Sequence, residues 1–214
     1  RNRGGRFAQG PATSSERVGS ARLRQLGCDR ALFVYRFDSA EEEGVQGAIP
    51  LRRAYARTRA CQQAPAEIAG IARPARGIDP RSAGLWYDPA QSGQGLMFDL
   101  RPPQDGDAGL VAGAWFTYDL DAQADDPTAQ HWFSLAGDLS SAQQGGFEVP
   151  IFRTVGGSLD RGATNNTWKV GTATLKFADC SHARLDYAFD DTDVAHAFAG
   201  KRGSLSLQRI GGCG

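Results

Sequence analysis

Between residues 172 and 189, apolar and polar side chains alternate almost without interruption. Ala173, Leu175 and Phe177 stand against Thr172, Thr174 and Lys176, then Leu185, Tyr187 and Phe189 against Arg184 and Asp186. Successive side chains of a strand point to opposite faces, so both runs read as strands that are dry on one face and wet on the other. Antiparallel meanders have that character, whereas strands of a covered parallel sheet are apolar on both faces. From Gly84 onward, similar runs separated by turn residues recur every dozen or so positions, at about 84–88, 95–101, 109–119, 130–137, 146–154, 168–178, 183–189 and 203–210. Eight neighbours joined by short loops predict a mainly β fold, an antiparallel up-and-down barrel, with a two-sheet sandwich as the alternative. No tandem repeat at a fixed period points to a propeller or solenoid.

The first 82 residues read differently. Residues 1–12 are rich in Gly and Arg and predict an extended arm. Thr13-x-x-Glu16 offers a capping box, and Val18, Ala21, Leu23 and Leu26 follow at helical spacing with Gly27 placed to end the run, which predicts a short helix. Residues 31–37 form a β-prone run, and 38–44, with Glu41, Glu42 and Glu43, a solvated turn. A second helix is expected over 49–62, with Pro50 in its first turn and Leu51, Ala54, Tyr55 and Thr58 on one face. Pro65, Gly70, Pro74, Gly77 and Pro80 mark a linker. The expected organisation is an arm at 1–12, a small disulfide-bonded α+β unit at 13–64, a linker at 65–82 and a barrel module at 83–214.

Net charge is zero, but it hides an asymmetry: residues 1–81 carry 15 Arg against 8 acids, a net +7, and the remainder carries the balancing −7. A basic N-terminal segment meeting an acidic barrel, its own or a neighbouring copy's, accounts for that split. Nucleic-acid binding would want the arginines interleaved with stacking aromatics, so no nucleic-acid partner is expected. No apolar run approaches the roughly 18 residues of a membrane helix, so no membrane span is expected. Met97 is the only methionine, and Arg1 reads as a processed or trimmed start.

Cys28, Cys61, Cys180 and Cys213 are even in number and lack C-x-x-C spacing, which disfavours zinc and thioredoxin-type chemistry. The economical pairing joins Cys28 to Cys61 and Cys180 to Cys213, each bridge worth roughly 4 kcal/mol on a chain-entropy model. Spacing alone leaves the other pairings open. Such bridges persist outside the cytoplasm, so an extracellular or periplasmic location is expected.

The stretch Gly84-Leu85-Trp86-Tyr87-Asp88-Pro89-Ala90-Gln91-Ser92-Gly93-Gln94-Gly95, then Ala114-Trp115-Phe116-Thr117-Tyr118-Asp119 and His131-Trp132-Phe133, resembles a module common in predicted secreted proteins of Gram-negative bacteria. That module opens W-x-N/D-P-x-x-S-G-x-G and continues through an A-W-F-T-Y-D strand to a further tryptophan. The resemblance covers residues 82–214 and extends to Phe152-Arg153-Thr154, Asp179-Cys180 and Leu207-Gln208-Arg209. The module has no established activity, so the resemblance implies secretion and a β-fold. Residues 119–130 depart from it, replacing a short turn by a longer acidic one. The opening is also similar to the first strand of avidin-like barrels, but Asp88 stands where their W-Y-N turn has Asn, and Pro89 follows, which argues against biotin as a ligand.

Trp86, Tyr87, Asp88 and Ser92 put large rings and polar handles beside a glycine-rich loop, as small-ligand sites often do. Trp115, Tyr118 and Trp132 are further candidate ligand contacts. Trp115 and Phe116 are neighbours in a strand, so they cannot both be core, and one must face outward. The acidic clusters Asp119, Asp121, Asp125, Asp126 and Asp190, Asp191, Asp193 lack the EF-hand's glycine and distal glutamate and read as solvated loops. His131, His182 and His196 sit in no catalytic motif, and no nucleophile elbow, H-E-x-x-H or phosphate loop occurs. Asn165-Asn166-Thr167, a formal sequon, reads as an exposed turn. The expected function is a secreted, non-catalytic module that binds a small ligand, glycan or protein surface through aromatics, without cofactor or metal. The alternative is a structural subunit of an extracellular or envelope assembly, self-associating through its oppositely charged halves.

Overall fold

The computed structural model describes residues 2–7, 14–39, 43–53, 78–91, 93–103, 106–120, 129–143, 145–157 and 165–211. Five strands come first: β1 (Asn2–Arg3), β2 (Ser14–Ser15), β3 (Gly19–Gln25), β4 (Arg30–Phe37) and β5 (Gln46–Arg52). Eight more follow: β6 (Gly84–Tyr87), β7 (Gly95–Arg101), β8 (Leu110–Tyr118), β9 (Gln130–Asp138), β10 (Gly146–Val155), β11 (Asn166–Phe177), β12 (His182–Phe189) and β13 (Arg202–Arg209). Two compact units result, one holding β3–β5 and the other holding β1, β2 and the eight later strands.

Strands β6 to β13 pair antiparallel in chain order and close into a barrel, so the sandwich alternative falls away. Each of the eight predicted strands is present within two residues of its expected ends. Alternation decides which side chains fill the interior: Leu96, Phe98 and Leu100 of β7, Phe133 and Leu135 of β9, and Leu185, Tyr187 and Phe189 of β12 are buried. The β7–β8 turn requires Gly109 at φ +81°, where a Cβ would crowd the backbone of Arg101 and Pro103. A register shift between Ile151 and Phe152, opposite Val170 and Gly171, leaves two successive residues of β11 buried and bends the wall.

Closure occurs where β13 meets β6, with Gln208 opposite Tyr87 and Arg209 opposite Trp86. The Ile210 N–H donates to the Leu85 carbonyl at 2.9 Å, and Arg209 Nη2 donates to the Ala83 carbonyl at 3.1 Å.

Interior rings fall into two groups. Trp86, Phe98, Phe147 and Phe177 pack together, with centroids 5.6 to 6.2 Å apart. Trp115, Phe133, Tyr187 and Phe189 form the second group, toward the end where β8 finishes at Tyr118 and β9 begins at Gln130.

In the N-terminal unit the first expected helix is not formed. Within the span expected to be helical, Ser14–Ser15 form β2 and Gly19–Gln25 form β3, and β3 pairs with β4 along its length, from Gly19 opposite Phe37 to Gln25 opposite Ala31. The β-prone run of β4 needs a partner on each side, and Arg22 and Arg24 alternating with Ala21 and Leu23 satisfy a strand as well as a helix. The start of the second expected helix, Ile49 to Arg52, belongs to β5, where Pro50 is tolerated because β5 is an edge strand. Arg53 follows the strand, and residues 54–62 of that expected helix lie outside the described residues. Alternation leaves one face of this sheet with Arg22, Arg24, Arg30, Arg36 and Arg52, and the other with Leu23, Phe33, Tyr35 and Ile49.

The expected arm and linker both contribute to the barrel unit. Phe7 is buried in its core, and so are Ile78 and Ser82. Residues 8–12 and 65–77 lie outside the described residues. Neither Cys28 nor Cys180 is a free thiol: both are disulfide-bonded, and no described cysteine is free. Their partner sulfurs lie outside the described residues, so the pairing stays an expectation.

Candidate functional site

The candidate ligand contacts separate into three places. Trp86 is 1% exposed and donates its indole N–H to the Ser82 carbonyl at 3.0 Å, which makes it a core plug. Asp88 is also buried and works as a clasp. Its Oδ1 accepts from the Ala90 N–H at 2.9 Å, and its Oδ2 accepts from Gln91 Nε2 at 3.2 Å and from the Ser206 N–H at 3.3 Å. Those bonds tie the β6–β7 turn to β13, so the indole N–H of Trp86 and both carboxylate oxygens of Asp88 are engaged within the chain. Ser92 lies outside the described residues.

A second place is the Tyr118 end of the barrel. Phe7 enters there and packs against Trp115 at 5.5 Å, Tyr187 at 5.6 Å and Phe198 at 5.1 Å between centroids. Phe198 arrives on the β12–β13 connection, in which His196 holds φ 54°, a conformation rare outside glycine. Gly5 lies against the ring of Tyr118, where a Cβ would collide. Between them the Arg6 carbonyl accepts from Gln94 Nε2 at 2.9 Å, and Gln94 is held in turn by Thr117 Oγ1, which donates to Gln94 Oε1 at 2.6 Å. Trp115 and Tyr118, singled out from sequence, both border the 5–7 segment here, Trp115 against Phe7 and Tyr118 against Gly5. Phe7, Gln94, Thr117 and Phe198 were not legible, and the one available signal was a lone aromatic in a glycine-arginine run.

His131 borders the same end, with its ring 4.6 Å from Phe133 and 5.0 Å from Phe198. Its Nδ1 lies 2.9 Å from Asp119 Oδ1. Burial pushes its pKa below the usual histidine value and Arg153 adds to that, while Asp119 opposes both. Its Nε2 and the Trp115 Nε1–H are buried without a hydrogen-bond partner among the described residues.

The third place is the outer wall. Trp115 is the inward member of its pair and Phe116 the outward one, 45% exposed. Phe116 stands directly opposite Trp132, which is 52% exposed, and opposite Gly95 on its other side. One row along, Leu85 stands opposite Met97, and Met97 opposite Ala114. Tyr87 is half-buried beside Gly95, and Ile210 is exposed next to Leu85. Four consecutive strands thus present one apolar face.

No family model, curated protein or solved structure matches the chain. Among the described residues no group of three or more His, Cys, Asp or Glu could hold a metal ion, and no helix is long and apolar enough to cross a membrane. Asp121, Asp125 and Asp126 lie outside the described residues.

Proposed function

We propose that the chain is a non-catalytic binding module that works outside the cytoplasm and docks a partner protein on the outer face of β6–β9. The observation that carries the reading is the row around Phe116 and Trp132, large apolar side chains from adjacent strands left about half in solvent. Contiguous apolar patches of this kind mark interaction sites more often than they are left bare. Aromatic residues and Met are enriched at protein interfaces, and the Met97 thioether adapts to irregular surfaces. Leu85 and Ile210 extend the face with aliphatic groups, which suit a protein surface better than a sugar. Packed rings in the lumen weigh against an enclosed small ligand. The resemblance to secreted modules and the disulfides support the location.

A second reading, a subunit of an envelope or extracellular assembly, is favoured by the arginine face of β3–β5 and by the net −7 of residues 82–214. Contacts of that kind are screened over about 8–10 Å at ordinary ionic strength, so they weaken with salt.

A native, non-reducing mass spectrum of the protein from its own source separates the two. The first reading expects a stable protein partner that is lost in the Phe116→Ser, Trp132→Ser double variant without a change in melting temperature. Retention of the partner by the double variant removes the outer face from consideration. A ladder of copies that dissolves with salt and ignores the double substitution supports the assembly subunit.

A further inference from the structure

We propose that the Tyr118 end of the barrel is a binding site for an extended peptide segment of the form glycine, any residue, aromatic, and that Gly5-Arg6-Phe7 occupies it as the chain's own ligand. The proposal stands apart from the outer face. Each of the three positions is met by a different kind of contact. At the first, the ring of Tyr118 leaves room for no side chain, so the position demands glycine. At the second, the site takes only the backbone: Gln94 Nε2 donates to the Arg6 carbonyl at 2.9 Å, while the Arg6 side chain is exposed and unread. At the third, Phe7 is 4% exposed among Trp115, Tyr187, Phe189 and Phe198.

Gln94 is built for this use. It is itself 4% exposed, and Thr117 Oγ1 donates to its Oε1 at 2.6 Å, which turns the amide nitrogen toward the segment. A backbone hydrogen bond plus side-chain pockets is the usual division of labour in peptide recognition, main chain for affinity and pockets for specificity.

A second observation sets this end apart from ordinary core. Trp115 is 1% exposed, yet its Nε1–H has no hydrogen-bond partner among the described residues, and His131 Nε2 is in the same position across Phe133. Buried donors and acceptors are nearly always paired in a finished interior. Two unpaired atoms around one ring set this end apart from a finished interior, and the seated residues 5–7 leave both of them unpaired. Among the described residues, the opposite end, where Trp86 donates to Ser82, leaves no such atom.

The test uses the full chain carrying Phe7→Ala and, separately, the chain lacking residues 1–7. Each is titrated with a synthetic peptide of residues 1–8, followed by calorimetry and by melting temperature. Both variants are expected to bind the peptide saturably and to melt higher in its presence, because a ligand that binds only the folded state stabilises it. The unaltered chain, whose own segment fills the site, is expected to show no binding at the same concentrations. A peptide with Phe7→Ala or Gly5→Leu is expected not to bind, and adding Gln94→Leu to the Phe7→Ala chain is expected to weaken binding about tenfold. Folded variants that ignore the peptide overturn the proposal. So does equal binding to the unaltered chain, or equal binding of the peptide that lacks the ring. If neither variant folds alone, Phe7→Leu retains an apolar plug and must bind the peptide more tightly than the unaltered chain. Equal indifference of those two chains also overturns it.

Discussion

At the residue scale, His131 sets a pH dependence whose sign follows from two opposed contacts. Asp119, 2.9 Å from its Nδ1, favours the charged ring, while burial and Arg153 disfavour it, and burial prevails. The folded pKa therefore lies below the unfolded value of about 6.5, so the unfolded chain takes up the proton first. Stability from this residue is complete above about pH 6.5 and declines as pH falls below it. Urea midpoints between pH 8 and 5 should fall for the unaltered chain and fall less for His131→Gln. Equal slopes would remove His131 as the cause, and a rise on acidification would mean that Asp119 governs. Asp88 shows where reading residues one at a time ends. A carboxylate beside rings in a glycine-rich turn suits a ligand site by composition, but its three acceptor bonds all close within the chain, one of them 118 residues away on Ser206.

At the scale of elements, the strands of the barrel were legible and the N-terminal elements were not. Alternation over β11 and β12 admits only one periodicity, so both the element and its buried face followed from it. Residues 19–25 satisfy two periods at once, and pairing with β4 chose the strand. Only tertiary contact can break such a tie. The β12–β13 connection is the other element whose form is imposed from outside. His196 is held at φ 54°, ψ −132° between Asp193 and the buried Phe198. Such a conformation costs on the order of 1–3 kcal/mol for a residue with a Cβ. His196→Gly should therefore raise stability by about 1 kcal/mol after the glycine's own entropic cost, read as a higher urea midpoint at unchanged slope. A lower midpoint would mean that the imidazole makes a contact worth more than the strain.

At the scale of the whole molecule, the barrel is closed on its shortest strand, β6, of four residues. β13 and β6 share two register pairs, as β9 and β10 do, whereas β8 and β9 share nine. Local opening follows the least-paired segment, so hydrogen exchange should be fastest among barrel strands at β6 and the end of β13. Slower exchange there than in β8 would place the weak point elsewhere. Closure also explains which candidate residues met. Trp115 and Tyr118 lie three apart in one strand, but what packs on them comes from residues 5–7, Phe7 on Trp115 and Gly5 on Tyr118, and sequence proximity carries no trace of those contacts. Trp86 lies in the other ring group of the same interior, so the candidate aromatic contacts fall into two ring groups and an outer face. Local periodicity was enough to give eight strands, their buried faces, and the certainty that one of Trp115 and Phe116 must point out. Tertiary structure alone decided barrel over sandwich, strand over helix at residues 19–25, and the seating of Phe7. Each of those depends on pairings between distant segments, which local alternation permits but does not select.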